Sequence, residues 1–567
     1  MHLLRRRQEP GDRRRDRPCA CRAPLGEGGR GVTATIADAY LAHHAQFRPV
    51  DASFMGLARH DDRLPDASVG AADAERAGIA KLYALIGATP TEAEGLGERL
   101  DRRLATAQLR VTGAGLDHLP RFANPAWYTG EAAFAIIGLL LPSGLPTPRF
   151  AVQARLAALP DFLSDARARL AGAAAPAAVT ARARAEATAT ARFLRDGLPL
   201  HPDYDPSWQG FAAAAAFALD AFAATLDGVA DRPAAAGRNY IETLMREAHG
   251  FDFGADEAVR RAEAAFDDLG MQLVELAAQI DPSRSWEEQV AALAEIGPGS
   301  PDAVLELVRA LDARAMDDGA ALVTPARDYA LAYRWLAPQW REVAGALYFL
   351  PYRSPPAFAA GGGSTYWIAP SGDDKVAYLR ANSTINVKLI HAVHHGSIGH
   401  HTQNARARAA QSTLARVAGT DCALGLAFLS SGTMVEGWAC YVQDLLDETP
   451  LFYSRAERLF LLQQQRRNAA SVLVDIRLHT GEWTPEEAGA FYRDRAGFAP
   501  GRVAGEITRN VMLPGTRLMY WLGTEQILDL RRRWTGETRG FHDTLIRYGH
   551  IPVAWAGEEM ARAGLLA

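Results

Sequence analysis

Fourteen consecutive residues, Ile390-His391-Ala392-Val393-His394-His395-Gly396-Ser397-Ile398-Gly399-His400-His401-Thr402-Gln403, hold five of the chain's fifteen histidines. Neutral imidazoles take up divalent cations without first shedding a charge-bearing proton at neutral pH, which makes them the commonest metal ligands. Thirty-five residues after His401, Glu436-Gly437-Trp438-Ala439 brings a carboxylate to the start of another apolar helical pattern. Imidazole and carboxylate on facing helices form the ligand set of a zinc-like divalent ion, with positions left open for water and substrate. The same set suits non-haem Fe2+. Spacing leaves two ways to supply the nitrogens. His391 and His395 are four apart and share one helical face. His394 and His400 are six apart and converge only if the backbone breaks, which Gly396 and Gly399 permit.

The elements that must position these groups are mostly helical. From Thr33 to about Leu350, alanine, leucine, arginine and glutamate dominate, with apolar residues at three-to-four spacing; Ala74 to Ile86, Leu96 to Leu109 and Glu257 to Ile280 are clear cases. Gly144-Leu145-Pro146, Pro202 to Pro206, Pro282 and Gly297-Pro298-Gly299 punctuate the pattern. Ala171 to Ala191 is alanine-rich and reads as a helix. Near Pro355 the texture changes. Ala359-Ala360-Gly361-Gly362-Gly363-Ser364 reads as a loop. Thr365 to Ala369 and Lys375 to Leu379 read as two short strands around a Pro370 to Asp374 turn, a small β-hairpin beside the histidines. Such a hairpin could offer its edge to an extended peptide. Helices follow from Ser454 to His479, from Glu486 after the Gly481 to Pro485 turn, and from Tyr520 to Trp534. Residues 33–350 form an N-terminal helical region, packed with a motif-bearing region 351–567 as one unit.

The 567 residues are 48% hydrophobic and 22% charged, the composition of an ordinary soluble protein. Residues 1–32 carry nine arginines against four acids, about +5, so the remaining residues sum to −10 within a net charge of −5. An acidic body argues against nucleic acid as a partner, since phosphate binding needs clustered positive charge. Residues 1–32 have too little apolar content to offset ordering entropy; they are expected to be disordered, or an upstream start-site artefact with Val32 as the alternative start. No apolar segment follows the arginines, so no secretory signal is read there. No run of about 18 uncharged apolar residues is found, and no membrane span is expected. Cys19, Cys21, Cys422 and Cys440 make no disulfide framework, which fits a reducing, cytoplasmic compartment.

Ordered motifs carry a resemblance. His394-His395-Gly396-Ser397-Ile398-Gly399-His400-His401-Thr402-Gln403 stands where one family has His-Glu-x-x-Pro-Gly-His-x-x-Gln. Glu436-Gly437-Trp438-Ala439, then Pro514-Gly515 with Tyr520 and Gly523, then Phe541-His542 with Gly549-His550-Ile551-Pro552 follow in the same order. Asp475-Ile476-Arg477-Leu478-His479, Trp483 to Ala488, and Gly56 with Asp61 to Asp66 also correspond. From about residue 35 to 560 the chain resembles the DUF885 family of bacterial proteins, which are similar in pattern to helical zinc metallopeptidases. The resemblance implies a mainly α, gluzincin-like body. It implies a zinc ion, or another divalent metal such as Fe2+, on His394, His400 and Glu436. It also implies hydrolysis of a small peptide or amide. Tyr520 is the candidate oxyanion donor, because a phenol can donate a hydrogen bond where charge develops.

One departure bears directly on the chemistry. The family's glutamate after the first histidine is His395 here, and its proline is Ile398. In a zinc peptidase that glutamate is the general base. An imidazole that accepts a proton becomes a cation beside a cation, whereas a carboxylate becomes neutral, so peptidase activity is expected to fall by ~10²–10⁴-fold. His395 serves as base, or as an additional nitrogen ligand, or marks a protein that has lost hydrolysis; the residues alone leave these three open. His401 is a candidate third nitrogen or a support for the ligands. A metalloenzyme of another reaction class and a silent binding protein that keeps the cleft are the alternatives to a hydrolase.

Overall fold

The computed structural model describes residues 35–92, 94–142, 146–347, 352–359, 361–417 and 432–567. The arginine-rich tail with Cys19 and Cys21, Cys422, and the expected 350/351 boundary lie outside these residues. Residues 35–567 form one compact unit. The fold is mainly helical, as its periodicity implies. Ala74 to Ile86 falls inside the helix Ala71–Ala88, Leu96 to Leu109 inside Leu96–His118, and Glu257 to Ile280 inside Ala255–Ile280. The helices Arg455–Thr480 and Pro485–Asp494 begin at Ser454 and Thr484, whose hydroxyls accept from the backbone N–H of Glu457 and Glu487. Each glutamate reaches back to its cap, a reciprocal arrangement that satisfies two otherwise orphaned donors.

Long helices build the frame that holds the centre. Ala255–Ile280 lies along Arg455–Thr480, and Gly432–Leu445 lies along Leu518–Arg533. The second pair meets glycine to glycine. A Cβ on Gly437 would sit 2.7 Å from the Gly523 carbonyl carbon, and one on Gly523 would sit 2.7 Å from the Thr433 oxygen. Two motif glycines therefore have one reason: the helix backbones touch there, next to Glu436. Helix Pro125–Leu140 is buried almost all round, as expected for the middle of a bundle. The stretch Pro206–Gly228 is long and apolar enough, by length and composition, to cross a membrane; Asp220 interrupts it, and only 33% of its most apolar window is buried.

The expected β-hairpin is not formed. Lys375 to Leu379 belongs to the helix Lys375–Ala381, because the Asp374 carboxylate accepts the Ala377 N–H at 2.9 Å and caps a helix instead of turning a hairpin. The strand on the other side is real but pairs elsewhere. After a two-residue parallel pair, β1 (Ala174–Ala175) and β2 (Ala230–Asp231), the chain forms β3 (Ala330–Trp335), β4 (Tyr352–Arg353) and β5 (Gly363–Ile368). β5 is central, parallel to β3 and antiparallel to β4. β3 lies within the region read as overwhelmingly helical. The register sets Tyr333 and Tyr352 on either side of Tyr366, a row of three tyrosines across the sheet.

Candidate metal centre

The histidine segment is not a regular helix. Val387–His394 is π-helical, with the His395 N–H reaching back five residues to the Ile390 carbonyl at 3.1 Å. Short π segments recur at functional sites because the extra residue re-aims side chains. The chain turns through 395–399 and restarts as the helix His400–Ala407. Both glycines of the turn are required by close approach. A Cβ on Gly396 would overlap the Ala392 carbonyl oxygen and the Asp312 carboxylate; one on Gly399 would overlap the carbonyls of Val393 and His394. Buried Asp312 clamps the turn from the helix Val304–Gly319, accepting from the Ser397 N–H at 2.6 Å and from its hydroxyl at 2.7 Å. From the other side the Trp438 indole N–H points at the carbonyl oxygens of Ile398 and Gly399, 3.2 and 3.3 Å away. Gln403 donates to the Met434 carbonyl at 2.8 Å. Trp438 is thus a tie as well as core packing.

This break brings His394 and His400 together. Glu436 Oε2 lies 3.2 Å from His394 Nε2 and 3.7 Å from His400 Nε2. The ligand atoms of His394, His395 and His400 all lie within 4.8 Å of one another. Ring centroids are 4.7 Å apart for His394 and His395, 4.8 Å for His394 and His400, and 5.4 Å for His395 and His400. Glu436 Oε2 is buried and no hydrogen bond closes on it. Burial alone would raise its carboxyl, but His400 and His394 beside it hold it well below the usual range. A buried carboxylate oxygen on which no hydrogen bond closes, beside the Nε2 atoms of two imidazoles, is a donor set that a divalent cation fits.

The other residues expected near the centre sort by their hydrogen bonds. His395 Nδ1 is 2.9 Å from the Ile390 carbonyl. A carbonyl can only accept, so Nδ1 carries the proton and Nε2 keeps its lone pair. Burial, with His394 and His400 nearby, drives the His395 imidazole well below its ordinary range. His391 Nδ1 is hydrogen-bonded to the Tyr366 hydroxyl, and among the described residues the histidine ligand atoms that cluster are those of His394, His395 and His400, so the His391/His395 pair is not the couple that converges. His401 is engaged on both sides, by the Tyr329 carbonyl at 2.7 Å and the Tyr352 hydroxyl at 3.5 Å; it braces the sheet against the helix. His479 bonds the Asn510 carbonyl at 2.8 Å, and His542 spans the Leu322 carbonyl and the Tyr441 hydroxyl at 2.6 and 2.7 Å. Both hold tertiary structure. Asp475 accepts from the N–H groups of Gly515 and Arg517 at 3.0 and 2.8 Å, fixing the turn that precedes the Tyr520 helix. Tyr520 stands half-buried one turn before Gly523, with the Arg517 guanidinium 5.6 Å from its ring centre.

Several participants had no motif to announce them. Tyr366 packs its ring 5.6 Å from that of His395, and Tyr352 lies 6.4 Å from His400. Only the alternation of Ser364, Tyr366 and Ile368 marks the face they come from. Asp312 sits more than eighty residues upstream of the turn it clamps.

A family model described as "Bacterial protein of unknown function (DUF885)" matches residues 49–560. No curated protein matches the chain. Among the solved structures that share the fold are two described as a "putative lipoprotein". One is from Shewanella oneidensis, of unknown function, 17% identical with a TM-score of 0.75, covering 93% of this chain and 100% of its own. The other, from Colwellia psychrerythraea, is 16% identical with a TM-score of 0.75, covering 93% and 98%.

Proposed function

This chain belongs to the DUF885 family, and from that premise together with the geometry of its buried centre we propose that it is a metal-dependent hydrolase of peptide or amide bonds. One observation carries the reading: the donor-free Glu436 oxygen faces the Nε2 atoms of His394 and His400 at 3.2 and 3.7 Å. His394, His400 and Glu436 would hold the ion, zinc first and Fe2+ second. When bound, such a cation supplies Lewis-acid polarisation of the scissile carbonyl. The protein's own groups do the rest. Asp312 and Trp438 hold the turn so that the imidazoles keep their aim, which is the pre-organisation that makes such sites work. Tyr520 would donate to the carbonyl oxygen as charge develops. Turnover is expected to be slow, because His395 replaces the carboxylate that would move the proton.

Elemental analysis of purified protein, with turnover of short peptides and simple amides, tests this. About one divalent metal per chain and hydrolysis that Glu436→Gln abolishes are expected. Absence of stoichiometric metal in the folded protein would sink the proposal and leave a binding protein that kept the cleft. A metalloenzyme of another reaction class is the second reading, favoured by the nitrogen-rich surroundings; metal without hydrolysis would point there. We place the protein in the cytoplasm on its cysteine usage. Cell fractionation tests this against lipid anchorage, the location that the solved structures' description as a "putative lipoprotein" suggests for those proteins; recovery in the membrane or exported fraction would overturn it.

A further inference from the structure

We propose that His395 is itself a metal ligand, so that three imidazole nitrogens and the Glu436 carboxylate share one divalent cation; this rests on the metal-centre reading and deepens it. Three observations converge. The His395 ligand atom lies within 4.8 Å of those of both His394 and His400. Donors bonded to one zinc at about 2.0–2.1 Å stand ~3 Å apart, so rotations of the side chains close the set, and a five-coordinate ion keeps a position open for water. The Ile390 carbonyl, 2.9 Å from Nδ1, fixes the tautomer that leaves Nε2 as the donor. The ring is held in place by Tyr366, whose centroid is 5.6 Å away and whose hydroxyl is anchored on His391.

A base and a ligand would use the same lone pair, and the surroundings decide between them. A base must face the water it deprotonates and tolerate the charge it gains. The His395 ligand nitrogen instead lies within 4.8 Å of those of two other imidazoles, where an imidazolium would be repelled by the cation. Ligation uses the nitrogen as it stands. A site with three imidazoles and one carboxylate selects borderline first-row ions such as Zn2+, Fe2+, Ni2+ or Cu2+ over Mg2+ or Ca2+, which prefer all-oxygen shells.

The test counts nitrogens. Full-length protein stripped with a chelator is reloaded with Cu2+, and pulsed electron paramagnetic resonance counts the imidazoles coupled to the ion through their remote nitrogens. Three are expected in the parent and two in both His395→Phe and His395→Glu. Zn2+ affinity in a competition titration should fall ~100-fold or more in His395→Phe, beyond what loss of a mere supporting contact costs. A parent count of two, or a count of three that survives both substitutions, overturns the inference while the metal centre stands. Failure of the parent to hold stoichiometric metal overturns the centre with it. The parent count decides by itself if a variant does not fold.

Discussion

On the proposed reading, His395 stands where a zinc peptidase would carry a carboxylate, and the two groups differ in the charge they hold after accepting a proton. A glutamate there becomes neutral when it accepts a proton; an imidazole becomes a second cation. His395→Glu should therefore raise kcat/KM on short peptides by ~10²–10⁴-fold, the range that general acid–base catalysis contributes. Steady-state kinetics on metal-replete protein checks this, and an unchanged rate would mean that proton transfer is not what limits turnover. Glu436→Gln should act differently. It removes the one anionic donor and leaves a buried amide among imidazoles, so metal affinity should fall by at least ~10–100-fold, read by the same competition titration.

At the scale of elements, the centre depends on two joints. The first is the contact of Gly432–Leu445 with Leu518–Arg533 at Gly437 and Gly523, where there is no room for a side chain. Gly437→Ala should push the helices apart and cost ~1–3 kcal/mol, the range for overpacking a close contact. Because Glu436 is the adjacent residue, metal affinity should fall in step with thermal stability. The second joint is the 395–399 turn between Asp312 and Trp438. Asp312→Ala strips acceptors from a buried N–H and hydroxyl of Ser397, which should cost ~1–3 kcal/mol for each donor left unmet. Differential scanning calorimetry of the metal-free protein reads that loss apart from any effect on the ion.

The whole molecule should be sensitive to acid. His43, His249, His391, His401, His479 and His542 are pushed down to about 4, and His550 to about 3, with burial the largest cause in each. A depressed imidazole binds fewer protons in the native state than in the unfolded one. Its contribution is full above the unfolded value near 6.5 and drains away as pH falls toward 4, at ~1.4 kcal/mol per group per pH unit. Glu131, Asp444 and Asp475, raised to about 7 chiefly by burial, act in the opposite sense. They become more favourable as pH falls from 7 toward the ordinary carboxylate range. The histidines outnumber them, so stability should drop between pH 6.5 and 4, seen as a falling Tm in metal-free protein. Zn2+ at a hundred times its dissociation constant should add about 2.7 kcal/mol at neutral pH, and the increment should shrink as acid protonates the ligands.

Helix content, the long elements and the candidate grouping of His394, His400 and Glu436, which the fold brings within 3.2 and 3.7 Å, were legible in the sequence because each rests on local chemistry: apolar spacing, capping residues, and residue types that bind metals. Motif order then supplied the pairing that spacing alone left open. Lys375 to Leu379 was misread because a strand needs a partner, and the partner of β5 is Ala330–Trp335, far back in the chain and inside a stretch with helical composition. Asp312, Tyr352 and Tyr366 were invisible for the same reason, since their importance comes from what lies across from them. The break at 395–399 was suggested by two glycines, but only the fold could decide that a π turn, a carboxylate from one helix and an indole from another would hold three imidazoles in one place. Short-range preferences are written residue by residue; convergence of side chains depends on long-range packing, which no local pattern encodes.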